Sequence, residues 1–376
     1  MHTTDPIPLV EVAGSPRERG RCHGETARER VNRSVSLYTE QLSRLGCDRA
    51  EIESIVGGFV PRMEEWAPDL VDEIRGIAEG AGCPFEMVAL VNARTEVLQL
   101  AHRQKGVRDD DPDGCTGAVA LPQVTADGNL VHAQNWDWRA ECAETSIVLR
   151  IRRDDGPDIL TYTEAGGLAR SGLNSAGLAI TANYLECDRD YRELGIPLPL
   201  IRRRALETAH FALALRVIAV TPKSGSNNMM MSSAEGYAIN LECAPDETFV
   251  IHPADGLIVH ANHWQSAVAQ TKVRETGLGS VPDSLYRDVR VQGYLSGRLG
   301  RITRDDLKAA LFDDFGTPYS VCRPPLRKEG GNLSATVAMI VMEPSLGLME
   351  VAPLPALNRT FTSYTLELDE TARVAA

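Results

Sequence analysis

The periodicity of the apolar residues changes once along this 376-residue chain, near Cys115, and that change restricts the folds open to it. Before it the pattern is helical. Ser15-Pro16-Arg17-Glu18 reads as a helix start, with a capping serine, proline at the first helical position and then an acid. The helix is expected to run toward Leu45 and stop at Gly46. Leu70, Val71, Ile74 and Ile77 predict a second helix over 68–79, closed by Gly80 and Gly82. A third is expected over 84–102.

After Cys115 the runs become short, apolar or alternating. Turn residues such as Asp127-Gly128-Asn129 and Asp155-Gly156-Pro157 separate them, as antiparallel hairpins require. Strands are expected at 116–121, 130–137, 146–151, 159–163, 178–182, 216–221, 227–232, 236–241, 247–251, 257–261, 335–342 and 347–351. Helices are expected at 199–209, 283–297 and 303–312. Helices, strands, helices, strands is the order of an α+β layered architecture, not of a parallel βαβ array. Between the halves, Arg103 to Gly114 is polar, acidic and rich in breakers. It reads as an exposed loop, a good place for a cut.

Bulk properties narrow the function classes. The net charge is −13, which disfavours a nucleic-acid partner. Arg202-Arg203-Arg204 is the densest basic run and reads as a solvated helix face. No segment reads as a signal peptide or a membrane span. The eight cysteines, at 22, 47, 83, 115, 142, 187, 243 and 322, are scattered without a CxxC pair. A reduced, cytoplasmic setting is therefore expected, and neither a zinc ribbon nor a disulfide framework. The aspartates between Asp109 and Asp113 lack the glycine and terminal glutamate of a calcium hand, so no metal is expected.

Gly114-Cys115 carries the chemistry. A thiol needs a base or a positive neighbour to become a nucleophile. His132, His260 and His263 could serve in a Cys-His pair, but none sits in a papain-like or caspase-like signature. A second solution is for Cys115 to attack the Gly114 carbonyl and cut its own chain. The new α-amino group, with a reference pKa of about 7.7–8.0, then lies beside its own sulfur as a general base. Pairing 116–121 with 130–137 across the Asp127-Gly128 turn would bring Asp137 near Cys115. Trp136 and Trp138 alternate about Asp137 and should face the core.

Asp113-Gly114-Cys115-Thr116, Gly128-Asn129-Leu130 and Gln134-Asn135-Trp136-Asp137 resemble the acyl-CoA:6-aminopenicillanic acid acyltransferase family, isopenicillin-N acyltransferase-like. Further resemblance lies in Gly172-Leu173-Asn174-Ser175-Ala176-Gly177-Leu178, His260-Ala261-Asn262-His263, Ser284-Leu285-Tyr286-Arg287 and Val321-Cys322-Arg323-Pro324. It covers most of 115–376 and, more loosely, the helical part. The resemblance implies an N-terminal-nucleophile (Ntn) hydrolase: a four-layer αββα sandwich, self-cleaved between Gly114 and Cys115 into fragments 1–114 and 115–376 that stay associated as one domain. Cys115 would be the nucleophile, Asp137 would orient its amine or the substrate, and Asn262 would donate to the oxyanion.

Weaker assignments fall on Gln134, Asn135, Asn183, His263 and Ser334 as substrate or oxyanion contacts. Asn183 reads equally as a strand-end asparagine bonding its own turn, and His260 and His263 read as satisfied structural histidines. Gln134 stands where related bile-salt amidases carry arginine, which disfavours bile-salt hydrolysis. Arg287 and Arg323 read as substrate anchors or as surface ion pairs. No cofactor is expected, although the resemblance admits an acyl-CoA co-substrate. The expected activity is hydrolysis of a small amide or N-acyl compound, or transfer of its acyl group, through a Cys115 thioester. The alternatives are a Cys-His amide hydrolase without self-cleavage and a non-catalytic binding protein on the same fold.

Overall fold

A computed structural model describes residues 4–107, 114–327 and 332–369. The first stretch holds one short strand, β1 (Leu9–Val12), and seven helices: α1 (Pro16–Thr26), α2 (Arg28–Arg44), α3 (Arg49–Gly57), α4 (Val60–Trp66), α5 (Pro68–Ala81), α6 (Phe85–Asn92) and α7 (Arg94–Lys105). The expected 15–45 helix is two helices, broken at Ala27, and the expected 84–102 helix is broken at Ala93. Helices α3 and α4 were not anticipated, although Asp48 and Glu51 form a complete capping box at the start of α3. The acidic part of the expected loop, including Asp109, Asp110, Asp111 and Asp113, lies outside the described residues.

From Gly114 onward come β2 (Gly114–Ala120), β3 (Val131–Arg139), α8 (Cys142–Thr145), β4 (Ser146–Ile151), β5 (Ile159–Glu164), β6 (Ser171–Asn174), β7 (Leu178–Tyr184), α9 (Leu198–Leu206) and α10 (Phe211–Val220). Then follow β8 (Asn227–Ser233), β9 (Tyr237–Cys243), β10 (Thr248–Ile251), β11 (Leu257–His260), α11 (Ala267–Lys272), α12 (Ser284–Ser296) and α13 (Arg304–Leu311). The chain ends with β12 (Leu326–Arg327), β13 (Leu333–Glu343), β14 (Leu348–Pro353) and β15 (Thr362–Thr365). The strand expected at 216–221 is instead the end of α10. Its β-branched residues favoured a strand locally, but Ala214 and Ile218, four apart, are the positions that bury.

Two sheets stack. The eight-stranded sheet runs β1-β4-β5-β6-β7-β8-β9-β10, and the second runs β11-β2-β3-β13-β14-β15 with β12 beside β13. Strands β2, β3 and β13 set Val119, His132, Gln134 and Trp136 toward the first sheet. Their alternate residues Ala118, Val131, Ala133, Met339 and Val341 pack with Val291, Leu295, Leu307 and Leu311 of α12 and α13. On the far side, helices of the N-terminal segment and α9 share one apolar cluster with β4–β7. The layers are therefore helix, sheet, sheet, helix, as the α+β expectation held.

Residues before and after the Gly114-Cys115 step are built into one core. Strand β1 adds in parallel to β4, so the N-terminal segment supplies an edge of the larger sheet. Helices α1 and α5 approach closely through Gly20, Gly24, Gly76 and Gly80. A Cβ on Gly20 would sit 2.0 Å from the Glu73 carbonyl oxygen, and one on Gly76 2.3 Å from that of Arg17. The arginine run 202–204 is not a solvated face. Arg203 is wholly buried and bonds both carboxylate oxygens of Glu73, at 3.1 and 2.9 Å, while Arg204 pairs with Asp69. Solvation was the wrong expectation because α9 turns this side onto α5, where the buried Glu73 and the half-buried Asp69 replace water. Among the described residues no helix is long and apolar enough to cross a membrane.

Candidate active site

The hairpin pairing expected from the Asp127-Gly128 turn is present. Gly114 lies opposite Asp137 and Cys115 opposite Trp136. Strand alternation then divides the site between two faces. The Cys115 side chain shares the inter-sheet face with Trp136, while Asp137 shares the helix-side face with Gly114 and Thr116.

On the inter-sheet face the Cys115 sulfur lies 3.9 Å from Nη2 of Arg170. That guanidinium stacks on Trp136, with its Cζ 3.9 Å from the ring centroid. Arg170 also lines a cleft with Arg94, Glu96, Glu164, Asn183 and Arg202. Helices α6 and α7 form one wall of it, and α9 and the β7 end form others.

On the helix-side face four buried charges meet. Arg323 Nε stands 3.1 Å from Asp137 Oδ2, and its Nη2 bonds Asp283. Arg287 Nε donates to Asp283 Oδ2 at 2.7 Å. The 3.1 Å Arg323–Asp137 approach is an ion pair without hydrogen-bond alignment, since neither atom has a hydrogen-bond partner. The aligned bond to Asp137 comes from Thr336, whose hydroxyl donates to Oδ1 at 2.6 Å. Burial pushes the Asp137 carboxyl above its ordinary range, against the opposing pull of Arg323 and Arg287. A bulge in β13 between Thr336 and Ala338 keeps Thr336 opposite Asp137.

The two faces join through the backbone of residue 115. Its N–H donates to Asn262 Oδ1 at 2.9 Å, and its carbonyl accepts from Arg287 Nη1 at 2.6 Å. Asn262 is held from the other side by the Ser284 hydroxyl, which accepts its backbone N–H at 2.7 Å. One hydrogen of its Nδ2 goes to the Tyr184 carbonyl at 2.9 Å, which leaves the second for another acceptor.

Gly114, Cys115, Asp137 and Asn262 are thus brought together; of the weaker assignments, Asn183 lines the cleft beside Arg170, while Gln134, Asn135, His263 and Ser334 are outside its lining. Asn183 spends Nδ2 on the carbonyls of His260 and Ala261, both at 3.0 Å, and Oδ1 on Gln134 Nε2 at 2.8 Å. It braces one sheet against the other and does not bond its own turn. Gln134 does the same, adding bonds with Ala182 and Ser171. Asn135 points into the helical layer and donates to the carbonyls of Leu311 and Val321. His263 bonds Ser284 at 2.8 Å, and His260 bonds Glu242 at 2.8 Å, so both are structural histidines. Ser334 lies opposite Arg139, one pleat from the site, and Thr336 is the hydroxyl that reaches Asp137. Arg287 and Arg323 are buried in the centre, neither surface pairs nor exposed anchors.

Comparison with known proteins adds independent findings. The family profile described as acyl-coenzyme A:6-aminopenicillanic acid acyl-transferase matches residues 124–352, more than half of the chain. The chain is 30% identical over 336 residues to the acyl-coenzyme A:6-aminopenicillanic-acid-acyltransferase 40 kDa form of Emericella nidulans, covering 89% of each. Among solved structures it is similar to a mutant of conjugated bile acid hydrolase from Clostridium perfringens. That match has a TM-score of 0.47 at 13% identity, over 68% of this chain and 94% of the other. Penicillin V acylase from Agrobacterium tumefaciens gives a TM-score of 0.45 at 15% identity, over 68% and 88%.

Proposed function

The chain belongs to the acyl-coenzyme A:6-aminopenicillanic acid acyl-transferase family, and we propose that it is a self-processing acyltransferase or amidohydrolase whose nucleophile is Cys115. In maturation, Sγ of Cys115 adds to the Gly114 carbonyl and the amide shifts to a thioester. Water then releases the Gly114 carboxylate, the Cys115 thiol and a free α-amine. In turnover, that amine takes the thiol proton as sulfur adds to the substrate carbonyl, and returns it to the departing amine. Water or an acceptor amine resolves the thioester and releases the acid or the new amide.

The observation that carries this reading is the hold on the Cys115 nitrogen by Asn262 Oδ1 at 2.9 Å, with Asp137 facing Gly114 across the hairpin. The spare hydrogen of Asn262 Nδ2 is the oxyanion donor, a role expected to contribute about 3 kcal/mol to the acylation barrier. The cleft beside Arg170 takes the acyl compound, with an acyl-coenzyme A as one donor. Val91, Arg94, Thr95 and Glu96 line that cleft, so the N-terminal fragment stays bound after the cut and is needed for substrate binding. All eight cysteines are free thiols, which supports a reducing, cytoplasmic compartment.

Two of the three histidines weighed for a Cys-His pair disfavour a hydrolase without self-cleavage. Both ring nitrogens of His132 are engaged, with Ser232 and Thr181, and both of His260, with Ala261 and Glu242. The test is a denaturing gel of the purified protein with N-terminal sequencing, and turnover of penicillin V and of an acyl-coenzyme A with 6-aminopenicillanic acid. A large fragment beginning at Cys115, with Cys115→Ala left as one inactive chain, is the expected result. An intact, active wild type would refute maturation, and an active Cys115→Ala would refute the nucleophile.

A further inference from the structure

Arg287 occupies the first turn of α12, is wholly buried, and touches three parts of the site at once. Nη1 donates to the Cys115 carbonyl at 2.6 Å and to the Thr116 hydroxyl at 2.7 Å. Nη2 donates to Asn262 Oδ1 at 2.7 Å, and Nε to Asp283 at 2.7 Å. A guanidinium has five N–H donors, so these bonds engage four of them within the protein. That leaves little with which to hold a substrate.

We propose that Arg287 is a positioning residue for catalysis: it fixes the Asn262 amide with Oδ1 toward the Cys115 nitrogen and clamps the carbonyl of the same residue. The inference rests on the Cys115 reading above. Two donors, the Cys115 N–H and Arg287 Nη2, converge on Asn262 Oδ1. A rotated amide would place its NH2 against both of them, and the Tyr184 carbonyl would lose its donor. The orientation that accepts from the Cys115 nitrogen is the same one that leaves a spare Nδ2 hydrogen for an oxyanion. Without Arg287, only the Cys115 nitrogen and Tyr184 hold the amide, and the residue-115 carbonyl loses its clamp.

The charge balance supplies a second consequence. The charged and titratable groups around the site are Asp137 from β3, Asp283, Tyr286 and Arg287 at the start of α12, Cys322 and Arg323 from the segment before β12, and Arg170 between β5 and β6. His263 packs on the same turn through Ser284. Two arginines against Asp137 and Asp283 make the helix-side cluster balanced. Removal of one guanidinium leaves excess negative charge, which favours the protonated amine and removes the base.

The experiment compares wild type, Arg287→Gln and Arg287→Lys after the processed fraction has been read on a gel. Hydrolysis of penicillin V across pH gives kcat and KM, and iodoacetamide labelling of Cys115 across pH gives a substrate-free profile. Arg287→Gln should lose about 10²-fold in kcat, as a displaced catalytic group does, with KM nearly unchanged and the acidic limb of both profiles moved to higher pH. Arg287→Lys keeps the charge without the fork, so kcat should fall while the limb stays in place; it serves as the test if Arg287→Gln does not fold. Wild-type kcat and limb in a processed Arg287→Gln, or wild-type kcat in Arg287→Lys, would overturn the proposal. The Cys115 reading fails separately, through an uncut active wild type or an active Cys115→Ala.

Discussion

Glu73 offers the sharpest test of how the two sides of the Gly114-Cys115 step are held together. It lies on α5, is 1% exposed, and accepts four bonds from two arginines. Arg203, from beyond the cut, contributes two at 3.1 and 2.9 Å, and Arg19 two at 3.3 and 3.2 Å. Glu73→Gln keeps the volume and removes the charge. Arg203 then turns to Glu207, which Arg153 and Arg204 already share, and Arg19 keeps its bond to the Gly14 carbonyl. Breaking a buried pair of this kind costs about 3–5 kcal/mol, a factor of roughly 10²–10⁴ in the unfolding equilibrium. Urea unfolding should be measured in a Cys115→Ala background, so that a single chain unfolds. Glu11→Gln, which disturbs the exposed pair with Arg150, is the control and should cost less than about 1 kcal/mol. If Glu73→Gln costs no more than that control, the network contributes nothing and the reasoning is refuted.

Two further outcomes follow from single contacts. Thr336→Val is nearly isosteric and removes the 2.6 Å bond to Asp137, together with the acceptor of the Arg323 backbone N–H at 2.8 Å. A bond to a charged group is worth about 1.5–3 kcal/mol, so kcat/KM should fall about 10- to 100-fold, with Thr336→Ser close to wild type; equal losses in both would show that the hydroxyl is irrelevant. His132 is fully buried between Ser232 and Thr181, and burial holds its pKa down to about 3. The folded value lies below the ordinary 6.5, so the unfolded chain takes the proton first. The stability is full above pH of about 6.5 and is lost as pH falls from there toward 3. At 1.36 kcal/mol per unit, the step from pH 7 to pH 5 should cost about 2 kcal/mol in urea unfolding. His132→Asn should flatten that slope, and an unchanged slope would rule out His132 as its source.

The sequence made the layers legible because their signals are local. Period two after Cys115 and the Asp127-Gly128 turn placed β2 against β3 and Asp137 near Cys115; the register, which sets Asp137 opposite Gly114, was not legible. Where tertiary packing decided, local signals misled. Val217, Ile218 and Val220 favour a strand, yet 211–220 is a helix with Ala214 and Ile218 buried. Four-residue β1 has too little pattern to read, and only its parallel partner β4 makes it a strand. The Gly20–Gly24 and Gly76–Gly80 spacings did carry a signal for the close α1–α5 contact, and the Asp48–Glu51 box carried one for α3. The arginines were the hardest to read. Nothing in the spelling of 202–204, or of 287 and 323, distinguishes a charge in water from one matched to a buried carboxylate that folding brings from far along the chain.

Strand alternation also limits what each residue of the site can do. Asp137 and the Cys115 side chain lie on opposite faces of one sheet, so the carboxylate does not reach the sulfur through the strand. What it flanks is Gly114: a Cβ there would stand 3.0 Å from Asp137 Oδ2 and 3.3 Å from Arg323 Cζ. Under the proposed self-cleavage, the helix-side charges would act on the backbone: on the Gly114-Cys115 peptide before the cut and on the Cys115 amine after it. The inter-sheet face, with Arg170, Trp136 and the cleft, meets the sulfur and whatever acyl group it carries. In the proposed mechanism, maturation and turnover would share the backbone of residue 115 while drawing on different side chains. A side chain at residue 114 would press on Asp137 and Arg323, which would have to give way slightly, a steric pressure that favours glycine before this cysteine.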